Sequence, residues 1–313
     1  MCLTGKKPLV VILGPTAVGK TRLALKLGRI FHGEVIGADS RQVYRYMDIG
    51  TAKPTPEECA LVPHHLINVV NPDENLSLAQ YLRMAYQVID NLHEQGKLPL
   101  LVGGTGQYIT ALIEGWNIPE VPPNEPLRQT LETFAKTHGV EALYARLLQI
   151  DTEAAEKIHP NNIRRVIRAI EVYEATGTPI SVLQRKTPPP YRIKIYGLTM
   201  DRELLYERAD QRVDRMIEIG FIDEVQRLLD MGYDTALPSM SGLGYGQVIA
   251  YLKGAMSLEE AITQTKTATH DYIRRQYTWW RGHNQGILWH NVEGIDIAQL
   301  IDDVAQWLDE QDE

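Results

Sequence analysis

Residues Gly14-Pro15-Thr16-Ala17-Val18-Gly19-Lys20-Thr21 match the spacing G-x-x-x-x-G-K-[ST] in full. The chemistry of that spacing is phosphate binding. Its glycines let backbone amides converge on phosphate oxygens, Lys20 brings a point charge, and Thr21 offers a hydroxyl suited to Mg²⁺. Such a cradle needs a strand before it and a helix after it. The apolar run 9–13 and the spaced Leu23, Leu25 and Leu27 supply both. A diphosphate or polyphosphate is therefore the expected ligand. The motif names neither the compound nor its fate. An ATPase or GTPase brings a second strand ending in an Asp that holds Mg²⁺. Here the clearest buried strand, Leu98-Pro-Leu-Leu-Val102, ends in Gly103-Gly104-Thr105-Gly106, and no NKxD-like guanine motif occurs. Strands ending at Asp73 and Asp201 keep a nucleotidase open without favouring it.

In an open parallel sheet, chemistry gathers at the carboxyl ends of the strands. Asp39-Ser40-Arg41-Gln42 follows the second expected strand and the Gly103–Gly106 run follows the fourth. Taken alone, Asp39 reads as a helix N-cap. Beside a phosphate cradle, a general base is the stronger reading. Thr105 reads as a turn residue or as a hydroxyl brought to a ligand, since the flanking glycines permit close backbone approach.

The elements that must position these groups are strands at 8–13, 34–38, 65–70 and 98–102 and helices at about 20–31, 77–95 and 106–114. Their alternation predicts an α/β fold, a P-loop NTPase-like parallel sheet with helices on both faces. From 119 to 190 the pattern turns helical between proline-rich edges, as in an inserted all-helical subdomain. Strand character returns at 193–199, three helical stretches follow between Arg202 and Arg281, and a short strand is expected at 287–290. The expected organisation is core 1–118, insertion 119–190, resumed core 191–292 and an acidic C-terminal tail 293–313.

With 313 residues, 44% of them hydrophobic, the chain has ample material for a core and is too apolar for disorder. Two cysteines, Cys2 and Cys59, make no disulfide framework. The 9–13 run is too short for a signal peptide and no stretch approaches a membrane span, so a cytosolic, monomeric enzyme is expected.

The net charge of −8 argues at first against a polyanionic partner. From Glu293 onward, however, there are 8 acids and no base, so residues 1–292 balance at 32 against 32. The tail is expected to be a solvated face, amphipathic through Ile297, Leu300, Ile301, Val304 and Leu308. Between His159 and Ile195 lie Arg164, Arg165, Arg168, Arg185, Lys186, Arg192 and Lys194 against Glu171 and Glu174, a surplus of five. Near the carboxyl end, Arg274, Arg275 and Arg281 interleave with Tyr277, Trp279 and Trp280. Arginine mixed with aromatics suits single-stranded loops, where bases stack on flat side chains and phosphates meet guanidinium groups. Read for packing alone, Ile163, Val166, Ile167 and Ile170 form a core face, and so does the Trp pair.

Read together, GPTAVGKT, ADSRQVYRYMDIGTAKPT from Ala38, VPHHLINVV from Val62, LVGGTGQY from Leu101, HPNNIRRVIRAIEVY from His159, LYERADQRVDRM from Leu205, GLGYGQ from Gly242 and RRQYTWWR from Arg274 resemble the tRNA dimethylallyltransferase family. The likeness spans nearly the whole chain. DIGTAKP after an Asp-Ser pair is its most specific part. The resemblance implies that the cradle holds the diphosphate of dimethylallyl diphosphate, with pyrophosphate as leaving group, and that Asp39 takes a proton from the exocyclic amine of the target adenine in tRNA. It further implies donors from Lys20, from Mg²⁺ held through Thr21, from Thr105, and from Arg212 or its neighbour Arg208. For tRNA it implies contacts at Asp39, Ser40, Arg41, Gln42, Thr105, Arg128, Arg164, Arg165, Val166, Ile167, Arg168, Gly244, Tyr245, Arg274, Arg275, Gln276 and Arg281. Gly246 departs from the basic or bulky residue usual after Gly-Tyr, and His283 and His290 have no cysteines nearby to form a zinc finger. A prenyltransferase acting on free adenine nucleotides and a small-molecule kinase remain as alternatives. The basic insertion distinguishes the first from the tRNA reading, and the lack of a lid-like Arg cluster argues against the second.

Overall fold

The computed structural model describes residues 6–283, 286–294 and 296–310. Six strands, β1 (Lys7–Leu13), β2 (Gly33–Ala38), β3 (His64–His65), β4 (Leu98–Gly103), β5 (Tyr191–Thr199) and β6 (Ile287–Asn291), form one sheet in the order β3-β2-β4-β1-β5-β6. Every pairing is parallel. β2 and β4 are buried along their whole length and β1 over its last five residues. Continuous burial means that both faces are covered, which is why these strands read as unbroken apolar runs.

The register brings the functional ends level. Leu13 pairs with Gly103 and Gly197, and Ala38 also pairs with Gly103. A Cβ at Gly103 would overlap the Ala38 carbonyl. Glycine there lets β2 and β4 close up at the edge where their loops depart.

The described residues fold as two compact units, one within 6–77, 81–113 and 190–310, the other of 78–80 and 114–189. The first contains the sheet. The second is helical and closes its own core on Leu131, Leu143, Leu147, Val166, Ile167 and Ile170. Its helix Ile163–Thr176 starts where the Asn162 side chain accepts the Arg165 N–H and stops at left-handed Gly177.

Three expectations change. The strand expected at 65–70 is cut to His64–His65, because Leu66 and Asn68 take left-handed backbone angles that no extended strand accommodates. Four helices rather than three lie between 202 and 282, namely Arg202–Glu218, Phe221–Asp230, Tyr245–Leu252 and Leu258–Gly282, with left-handed Gly220 separating the first two. The acidic tail is no separate segment. Ile297–Asp309 is a helix whose Leu300, Val304 and Trp307 join the core beside Leu23, Leu27 and Met200. Its Asp303 accepts from Lys194 Nζ at 3.0 Å and from the Tyr196 hydroxyl at 2.6 Å. Burial works upward on that carboxyl, and these two bonds outweigh it, holding it below the usual range. Asp312 and Glu313 lie outside the described residues. No described helix is long and apolar enough to cross a membrane.

Candidate active site

β1 delivers the cradle and the helix Lys20–Ile30 leaves it. The Lys20 ammonium donates to the carbonyls of Gly14 at 3.1 Å and Pro15 at 2.7 Å. Burial pulls its pKa from 10.5 to about 8, with Asp39 opposing the shift and Arg212 adding to it. Arg212 arrives from the helix Arg202–Glu218 and donates from Nη1 to Thr16 Oγ1 at 3.0 Å. Burial lowers its pKa too, against the pull of Asp39. Arg208, one turn earlier, is exposed and stands outside the cavity that Arg212 lines. Of the two arginines, Arg212 is therefore the one able to meet a ligand in the cradle.

The loops after β2 and β4 are clasped together. Ser40 N–H donates to Thr105 Oγ1 at 2.9 Å, and Thr105 N–H donates to the Ala38 carbonyl at 3.1 Å. Asp39 Oδ1 accepts the Arg41 N–H at 2.8 Å, which orients the carboxylate and leaves Oδ2 for other work.

Thr16, Asp39, Ser40 and Arg212 open into a cavity of about 230 Å³, whereas Lys20 and Thr105 stand behind its lining. Thr16, Asp39, Arg41, Arg212, Tyr272 and Arg275 form its polar side, while Ala209, Val213, Met216, Phe221 and Leu243 form an apolar wall. Tyr272 was not among the residues read from the sequence. Burial and the nearby Asp39 push its phenol pKa up, and its hydroxyl interacts with Thr105. The available signal was its place three residues before Arg275 on one helix face.

Sequence reading also missed Glu224, which is 2% exposed. Its carboxylate accepts the backbone N–H groups of Asp48 at 2.8 Å, Ile49 at 2.6 Å and Gly50 at 3.1 Å, and the Tyr245 hydroxyl at 2.7 Å. It thereby holds the loop that carries DIGTAKP, of which Gly50 and Thr51 line the cavity. From the other side Lys53 donates to Asp48, to Asn68 and to the Tyr44 carbonyl. An acid on the apolar stripe of Phe221, Val225 and Leu228 was the legible sign.

The residues expected to meet tRNA divide. Ser40, Arg41 and Arg275 line the cavity, with Arg275 over the Tyr272 ring at 5.7 Å. Arg164, Arg165, Arg274 and Arg281 are exposed, Arg274 being paired with Asp271. Gln42 Nε2 donates to the carbonyls of Thr51 and Ala52, supporting the cavity loop from within. Val166 and Ile167 bury their side chains in the core of the helical unit, because they occupy the apolar face of their helix. Gly244 adopts a left-handed backbone and Tyr245 is fully buried, its hydroxyl held by Glu224. Gln276 is 5% exposed with both ends of its amide engaged by backbone, so it presents no free group to RNA.

Within the helical unit, Glu171 is buried rather than solvated. Arg128 grips it with Nε at 2.8 Å and Nη2 at 3.0 Å, and Arg168 donates to it at 2.6 Å. Burial raises the Glu171 pKa, but these donors and the Asn124 N–H outweigh that and bring it down. The guanidinium groups of Arg128 and Arg168 are thus partly neutralised. Arg192 and Lys194 belong to β5 and turn to the Ile297–Asp309 helix and its end. Arg164, Arg165 and Arg185 remain exposed on the insertion, and exposed Lys186 pairs with Glu114.

Comparison with known proteins places this geometry. A family model described as IPP transferase matches residues 42–283. The chain is 57% identical over 274 residues to a tRNA dimethylallyltransferase of Roseiflexus castenholzii, covering 88% of this chain and 90% of that one. It is 51% identical to one from Roseiflexus sp., covering 96% and 99%. Among solved structures it resembles the full-length tRNA isopentenylpyrophosphate transferase of Bacillus halodurans, with TM-score 0.71, 43% identity and coverage of 97% and 96%. It also resembles a eukaryotic dimethylallyltransferase captured acting on tRNA, with TM-score 0.80, 28% identity and coverage of 96% and 77%. With the phosphate cradle, the apolar-walled cavity and these matches along most of its length, the chain belongs to the IPP transferase family, the family of the tRNA dimethylallyltransferases.

Proposed function

We propose that this protein transfers the dimethylallyl group of dimethylallyl diphosphate to the exocyclic amine of the adenine 3′ of the anticodon, position 37, in tRNA, releasing diphosphate. One observation carries the reading: Thr16 of the cradle, Asp39 and an apolar wall of Val213, Met216 and Phe221 share one cavity. A prenyl diphosphate needs an apolar wall beside its phosphate site, and this cavity supplies one. The names of the relatives agree.

In this reaction the amine nitrogen bonds to the first prenyl carbon as the carbon–oxygen bond breaks, and that electron pair leaves with diphosphate. The amine lone pair is delocalised into the ring, so proton removal assists attack. Asp39 is the base, taking the proton on the oxygen not held by the Arg41 N–H. Lys20, Arg212 and the cradle amides stabilise the charge developing on the bridging oxygen, with Thr105 as a further donor. The adenine must leave its stack to reach Asp39.

Mg²⁺ fits the donor set. Among the described residues no group of three His, Cys, Asp or Glu could hold a metal unaided. Mg²⁺ binds through few protein oxygens plus substrate phosphates, and Thr21, exposed in the first turn of its helix, is the residue that would hold it. When bound, it would neutralise diphosphate charge.

Unmodified tRNA and labelled dimethylallyl diphosphate with Mg²⁺ are expected to yield labelled tRNA, with no labelling of free AMP. Phosphorylation or ATP hydrolysis without prenyl transfer would overturn the reading. Arg164→Ala/Arg165→Ala is expected to weaken tRNA binding and lower the salt slope by roughly two while leaving the KM for dimethylallyl diphosphate unchanged, measured by filter binding across a salt series.

The lowered Lys20 pKa yields a further expectation. Free protein loses the Lys20 charge as pH rises through about 8, and a bound diphosphate restores it. Pyrophosphate binding at pH 8 should therefore take up about half a proton more in the wild type than in Lys20→Arg, whose charge persists. Calorimetry in buffers of different ionisation enthalpy reads the difference.

A further inference from the structure

We infer that Gln276 is a positioning residue for the reaction, a strut that joins the phosphate cradle to the turn carrying Thr105. This rests on the diphosphate reading of the cradle. Gln276 lies on the helix Leu258–Gly282, 260 residues from the cradle, yet its Oε1 accepts the Thr16 N–H at 2.9 Å. Its Nε2 donates to the Gly104 carbonyl at 2.9 Å in a buried setting. A Cβ at Gly104 would overlap Nε2, so the glycine before Thr105 makes room for this contact. The same helix sends Tyr272 and Arg275 to the cavity wall.

Two consequences follow from this geometry. Thr16, whose hydroxyl accepts Arg212, is held at its amide by a side chain rather than by ligand, so the entry half of the cradle is set before diphosphate arrives. Thr105, clasped to Ser40 beside Asp39, is tied to that same cradle through Gly104. The leaving-group site and the base are thereby kept at a fixed separation by one amide group. Near-attack geometry is sensitive to displacements of about an ångström, so a lost strut should lower turnover without touching RNA affinity.

Gln276→Met keeps the length and removes both bonds. Expected are hydrogen exchange at the Thr16 amide faster by about tenfold or more, a kcat lower by about tenfold, and a raised KM for dimethylallyl diphosphate. The tRNA dissociation constant and its salt slope should not move. Gln276→Glu keeps an acceptor for the Thr16 N–H but sets a carboxylate oxygen against the Gly104 carbonyl. It should restore Thr16 protection without restoring kcat, and it serves if the Met variant does not fold. Unchanged Thr16 exchange in Gln276→Met, a wild-type kcat in Gln276→Glu, or weaker tRNA binding with an intact KM for the prenyl donor, would overturn the inference. Absence of prenyl transfer in the wild type would instead sink the diphosphate reading, while Thr16 exchange would still judge the strut.

Discussion

Asp39→Ala is expected to lower the kcat of prenyl transfer about a thousandfold, within the range assigned to a positioned general base, and to leave the affinities for tRNA and dimethylallyl diphosphate within about threefold of the wild type. The geometry explains the asymmetry. Asp39 reaches the cavity from the end of β2, and its Oδ1 is already occupied by the Arg41 N–H. Arg41 is further tethered through the Pro238 carbonyl at 2.8 Å, so the loop keeps its place when the carboxylate is removed. Asp39→Asn preserves the shape and cannot accept the proton, so it should be equally slow. Single-turnover rates with preformed ternary complex check the prediction. An Asp39→Asn enzyme of near-normal turnover would assign the proton to another acceptor.

Glu224→Ala is expected to cost about 4 kcal/mol of stability, since it strips three partly buried backbone N–H groups and a buried phenol of their common acceptor. Glu224→Gln keeps one acceptor oxygen and should cost roughly half as much. Equilibrium urea unfolding gives the difference at constant m-value. The loop held by Glu224 lines the cavity, so the surviving folded fraction of Glu224→Gln should show a raised KM for tRNA. A change below about 1 kcal/mol in Glu224→Ala would mean that the 48–50 amides find other partners.

The Gly14–Thr21 loop was legible in the sequence because its motif is local. Eight consecutive residues, a strand before and a helix after, contain the whole device, and the sheet register adds only its placement beside Asp39 and Thr105. The strands β1, β2 and β4 were legible for a similar reason, since full burial imposes an apolar run. The 65–70 segment looked alike in composition and failed as a strand through the backbone angles of Leu66 and Asn68, which hydrophobicity does not report.

Charge was where the sequence misled. Counted along the chain, Arg168, Arg192 and Lys194 stand in a basic surplus, Arg128 as an expected tRNA contact, and residues 293–313 as an acidic, amphipathic solvated tail. In three dimensions Arg128 and Arg168 meet buried Glu171, and Lys194 meets Asp303. Gln276, Val166 and Ile167 share the same lesson. Each belongs to a run that resembles an RNA-contacting segment, but a helix shows one face outward and one inward, and these three point in, while Tyr245 is buried at the cavity lining.

The sequence by itself determined the family, the cradle and the three loops that carry reactive groups, because those are properties of short segments and of the order of elements. Only the tertiary structure decided that Arg212 rather than Arg208 reaches the cradle, that Glu224 holds the cavity loop and that Gln276 clasps Thr16 to Gly104. The physical reason is that these roles depend on desolvation and on hydrogen bonds between residues roughly 170 to 260 positions apart, whose partners are settled only when the core closes.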